Sequence, residues 1–117
     1  MFNFNTLLEW HKKKFPEATY KSQLIHLAEE IREFNDTQSE QDEFEELADV
    51  VIVLVSLRRF PETRDMSDDL LDFYYFKNRP DYCKKLMKTI EKKVEIINKR
   101  LYYWTGEDYA REKIYGA

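Results

Sequence analysis

The chain has 117 residues, enough for one domain with a single core over residues 1–117. Charged residues make up 36% and apolar residues 43%, which suits a compact helical protein and not a disordered one, and a net charge of −4 argues against a nucleic-acid groove. The lone Cys83 excludes an internal disulfide and fits a reduced, cytoplasmic setting. No basic stretch followed by an apolar run opens the sequence, so no signal peptide is expected. The apolar run of residues 50–57 falls short of the roughly 20 residues that cross a bilayer, so no membrane is expected as a partner.

Residues 4–14 form the first expected helix, with Phe4, Leu7, Leu8 and His11 at helical spacing and Pro16 as the stop. Trp10, near its end, is either a core residue or a stacking surface for a base. Thr19 is the expected cap of a second helix over residues 20–34. Leu24, Leu27, Ala28, Ile31 and Phe34 make its apolar stripe, and Gln23, His26, Glu30 and Glu33 share one shoulder of it. His26 reads as a hydrogen-bonding residue of that shoulder, because hard cations prefer oxygen.

Ser39 is placed to cap a third helix over residues 40–59. Its second half, Val50-Val51-Ile52-Val53-Leu54-Val55, is rich in β-branched residues, yet the stripe of Phe44, Leu47, Ala48, Val51 and Leu54 decides for a helix. A helix apolar all round is buried on every side, so this one is central or shared with a second subunit. Ser67 is the expected cap of a short fourth helix reaching Phe76. Pro80 suits the first turn of a long fifth helix reaching about Tyr103. Thr105-Gly106 ends it, and residues 107–115 are expected to be a short tail helix. The expectation is an all-α bundle of four or five helices.

Two acidic turns stand out, Glu29-Glu30-Ile31-Arg32-Glu33 and Glu45-Glu46-Leu47-Ala48-Asp49. Residues three apart share a helix face, so Glu30 with Glu33, and Glu46 with Asp49, each present a pair of carboxylates. Asp49 runs straight into the apolar half of its helix, where an unpaired charge costs free energy. If the two helices pack antiparallel, the pairs meet and suit a hard ion, Mg²⁺ or Mn²⁺. Ordinary solvated helix faces are the alternative, since E-x-x-E and E-x-x-D arise often by chance in so acidic a chain.

The pattern Glu29-Glu30-x-x-Glu33, twelve residues, Glu46-x-x-Asp49 resembles the signature of the MazG-like, all-α nucleoside triphosphate pyrophosphohydrolases. Trp10, Phe15-Pro16, Ala18-Thr19 and Lys21-x-Gln23-Leu24 look closer still to the dATP/dGTP-type phage and bacterial members. The resemblance implies a Mg²⁺ site that releases pyrophosphate and a nucleoside monophosphate from a nucleoside triphosphate. By motif position it implies Glu30, Glu33, Glu46 and Asp49 as metal ligands, with Glu33 also orienting the attacking water. Trp10, Lys21 and Gln23 would hold the base or the phosphates. Lys93, Asn98 and Arg100 answer to the family's last-helix Lys, Asn and Arg, at irregular spacing. A homodimer or homotetramer is implied as well, with Tyr74, Tyr75 and Phe76 at an interface. Two alternatives stand beside it. One is a phosphoribosyl-ATP pyrophosphohydrolase; the other is a helical protein that binds a nucleotide or a partner without turnover.

Overall fold

Three side-chain caps fix where the first helices begin in the computed structural model, which describes residues 3–112. Asn3 and Thr6 exchange backbone-to-side-chain bonds of 2.9 Å at the start of α1 (Phe4–Lys14). Thr19 and Ser22 do the same at 3.0 and 3.1 Å for α2 (Tyr20–Asn35). Ser39 Oγ accepts the Asp42 amide at 3.1 Å and opens α3 (Glu40–Leu57). Each such cap satisfies an amide that the helix leaves unpaired and contributes about 1 kcal/mol. The turn after α1 is pinned from α3's end, where the Arg59 guanidinium donates to the carbonyls of Phe15 and Pro16 at 3.0 and 2.6 Å.

α4 (Arg64–Leu71) runs directly into a single π-helical turn, Asp72–Phe76, closed by the Lys77 amide on the Asp72 carbonyl at 3.0 Å. α5 (Pro80–Asn98) follows, with Pro80 in its first turn. A hairpin of β1 (Tyr102–Trp104) and β2 (Tyr109–Arg111) closes the described chain, pairing Tyr103 with Ala110. The fold is therefore an all-α bundle with a small antiparallel appendage. Among the described residues no helix is long and apolar enough to cross a membrane.

α3 is the axis. It packs against α1, α2, α4 and α5, and Val50, Val51, Leu54, Val55 and Leu57 are fully buried along it. This one chain therefore covers all sides of its apolar half except Val53, which is half-buried and faces a cavity. Each fully buried aliphatic side chain contributes about 1.5–3 kcal/mol, so α3 dominates the apolar stabilisation. Leu7, Leu27, Leu71, Leu86, Ile90 and Val94 complete the core from the surrounding helices.

Three expectations are corrected. Ser67 does not cap α4: it lies inside the helix, fully buried, and its hydroxyl donates to the Leu54 carbonyl, while Thr63 precedes the first turn. α5 stops at Asn98, and residues 102–104 are a strand. No tail helix forms from Glu107, because Tyr109–Arg111 pairs with β1; residues 113–115 lie outside the described residues. Tyr102-Tyr103-Trp104 favours a pleated, half-buried surface. Gly106 supplies the reversal at φ 101°, and Thr105 Oγ1 accepts the Glu107 and Asp108 amides at 3.3 and 3.1 Å.

Candidate functional site

The short link between α2 and α3 turns the chain back on itself and brings the two acidic turns face to face. Glu30 and Glu33 from α2 and Glu46 from α3 each offer a carboxylate oxygen, all within 4.8 Å of one another. Glu33 is exposed, whereas Glu30 and Glu46 are half-buried. One oxygen of each half-buried acid, Glu30 Oε2 and Glu46 Oε2, is sealed from solvent and has no hydrogen-bond partner. A buried acceptor left unmatched is costly and calls for a proton or a cation.

The electrostatics carry the same message. Burial, then the charges of Asp49, Glu33 and Glu46, push the Glu30 carboxyl up to about 8. Burial followed by Asp49 and Glu33 pushes Glu46 up too. Asp49 is raised by burial, against the opposing pull of Lys93, whose ammonium lies 3.2 Å away on α5. Asp49 thus sits one turn beyond Glu46, outside the three-oxygen cluster, and holds an ion pair instead. The all-oxygen donor set, with two orphaned buried oxygens, suits a hard divalent cation that keeps part of its water.

A cavity of about 330 Å³ opens beside the acids, within the size range of small-molecule sites. Glu30, Asp49, Lys93 and Arg100 form its charged end, and Ile52, Val53, Ile96 and Ile97 its aliphatic wall. Phe15, Tyr102 and Tyr109 close the other side as one aromatic cluster, with Phe15 at 5.0 Å from Tyr102 and 5.1 Å from Tyr109. Gln23 and His11 supply the buried polar lining. Gln23 Nε2 donates to Ser56 Oγ at 2.7 Å and lies 3.4 Å from His11 Nε2. Burial, reinforced by Arg59, holds His11 down at about 3, so its ring is neutral.

The remaining residues singled out in the sequence lie elsewhere. Trp10 does not line this cavity; its indole N–H donates to Asn98 Oδ1 at 2.7 Å and clasps α1 to the end of α5. Asn98 is thereby occupied, and Lys21 is exposed and outside the lining. Glu29 points away, 3.8 Å from His26. Tyr74 and Tyr75 pack against the core, whereas Phe76 is exposed, edge-on to Phe4 and Tyr75.

Sequence reasoning missed the aromatic side of the cavity. Phe15 enters the sequence reading only through the Phe15-Pro16 pair of the resemblance, His11 through a core stripe, and the two tyrosines through expected helices. The usable signal was the Tyr-Tyr-Trp run followed by Thr-Gly, which marks a strand and a turn. No family model, curated protein or solved structure matches the chain.

Proposed function

We propose that the chain is a Mg²⁺-dependent nucleoside triphosphate pyrophosphohydrolase of the MazG-like kind, releasing pyrophosphate and a nucleoside monophosphate. One observation carries the proposal: Glu30, which keeps an orphaned buried oxygen, both joins Glu33 and Glu46 in a carboxylate cluster and lines a cavity that also holds Asp49, Lys93 and Arg100. Glu30, Glu33 and Glu46 would hold the cation, with Asp49 joining them on releasing Lys93. The bound cation would neutralise phosphate charge and acidify a water. Lys93 and Arg100 place positive charge where phosphate oxygens would lie and offset their repulsion toward a nucleophile. Glu33, the exposed member, is the group free to accept a hydrogen bond from water and orient it. The lining of the cavity limits competing water on the apolar side.

One observation favours a second assignment. The Asp49–Lys93 pair at 3.2 Å keeps the fourth carboxylate off the cluster, as a protein that binds nucleotide without turnover would tolerate. A panel of dNTPs, NTPs and phosphoribosyl-ATP with Mg²⁺, read for pyrophosphate against orthophosphate, separates the two. Pyrophosphate release abolished by EDTA and by Glu46→Gln supports the enzyme. Nucleotide binding without any release supports the binding protein. A homodimer or homotetramer is proposed with either, through the segment of Tyr74, Tyr75 and Phe76, of which Phe76 is exposed; a monomer by light scattering refutes it.

A further inference from the structure

We propose that the C-terminal hairpin supplies a ligand subsite: Tyr102 and Tyr109, with Phe15, hold the planar heteroaromatic base of a nucleotide, and Asp108 with His26 positions that wall. The inference rests on the nucleotide proposal above and deepens it.

The hairpin is attached in an unusual way. Its strands pair with each other but neither packs its backbone closely on a helix. A two-stranded hairpin is marginal by itself, so side chains must hold it in place. His26 Nε2–H donates to Asp108 Oδ1 at 2.6 Å, and the Glu17 amide donates to Tyr109 Oη at 2.9 Å. Lys14 Nζ fastens the hairpin's root by donating to the Arg100 carbonyl at 3.0 Å.

These ties aim the two tyrosines at the cavity and do not sink them into the core. Both rings stay half-buried and line the open space with Phe15. Lys14 Nζ stands 5.7 Å over the Tyr102 ring and Trp104 packs 5.1 Å from Tyr109, and the surface that each ring has left lines the cavity, as a stacking platform requires. Gln23 marks the polar edge of the same space. Its amide nitrogen is committed to Ser56, while its Oε1 accepts nothing from the described residues and is left for a ring N–H or an exocyclic amine. Glu30 on α2 and Asp49 on α3 lie seven residues, about 10 Å of helix, from Gln23 and its partner Ser56, so base and phosphates would separate along the cavity.

Calorimetric titration with a purine and a pyrimidine nucleoside monophosphate, and separately with inorganic tripolyphosphate plus Mg²⁺, tests this without turnover. Tyr102→Ala and Tyr109→Ala should each weaken monophosphate binding about tenfold, and Asp108→Ala should weaken it in the same direction. Tyr102→Phe, which keeps the ring and breaks no tie of the hairpin, should stay within about threefold of the parent; Tyr109→Phe, which keeps the ring but loses the Glu17 tie, should weaken binding less than Tyr109→Ala does. Tripolyphosphate binding should be unchanged throughout. Unchanged monophosphate affinity in both alanine variants, or equal weakening of both ligands, overturns the subsite. Binding of tripolyphosphate but of neither monophosphate overturns the subsite and leaves the phosphate end standing. Binding of none of the three overturns the nucleotide proposal with it.

Discussion

Replacing Glu30 by Gln keeps the size of the side chain and removes its charge. In the metal-free protein that charge is a burden, because burial and three neighbouring acids raise the carboxyl from 4.5 to about 8. The folded state therefore holds a proton that the unfolded state has released between those two values. Glu30's own contribution to the stability of the metal-free protein is therefore greatest below 4.5 and is lost as pH rises through 8. The full displacement caps the penalty at ~5 kcal/mol. Glu30 is half-buried, and solvent screening reduces the figure to about 1–2 kcal/mol. In EDTA at pH 8, Glu30→Gln should accordingly raise the melting temperature by about 4–8 °C. The gain should shrink toward nothing as pH falls to 4.5. Millimolar Mg²⁺ should raise the melting temperature of the parent and have much less effect on the variant. Differential scanning fluorimetry over a pH series, with and without Mg²⁺, reads both effects. A variant that melts lower than the parent in EDTA at pH 8, or keeps the full Mg²⁺ response, refutes the reasoning.

Other consequences are open to measurement. Lys93→Met strips Asp49 of its partner beside Glu30, and should cost about 2 kcal/mol by urea denaturation without metal; Mg²⁺ should recover much of that loss. His11, held neutral down to about 3, should make stability fall as pH drops from 6.5 toward 3, by on the order of 4 kcal/mol. His11→Gln should flatten that acid limb; between 4.5 and 6.5 it acts against the Glu30 effect, so the two variants should diverge in opposite directions there. Leu54→Ala, at a fully buried position of α3, should cost about 2–5 kcal/mol with no change in the urea m-value.

Helical periodicity was enough to place α1, α2 and α3 within a residue or two, because their caps and apolar stripes agree with one another. The same periodicity put Glu30, Glu33 and Glu46 on facing surfaces, and the short link from α2 to α3 brought those surfaces together. It failed for contacts that depend on distant chain. Nothing in the spacing of Asp49 announces Lys93, forty-four positions away, or that Trp10 would spend its indole N–H on Asn98. Ser67 looked like a cap because serine favours helix starts, yet its hydroxyl serves a carbonyl of another helix. The last segment was misread as helix because α5 has strong periodicity up to Leu101. Its aromatic run, pairing only after Gly106 reverses the chain, determines the strand.

Glu46 and Asp49 sit on the same continuous helix as Val50, Leu54 and Leu57. To pull the acids apart, a fluctuation must also draw α3 out of the core, so the charged end persists for as long as the protein stays folded. The hairpin carries no comparable share of buried surface and should open independently at a lower free energy. Under the proposed nucleotide function, warming should therefore erode discrimination between bases before it erodes affinity for polyphosphate. The two halves of one cavity are thus insured against heat to different degrees.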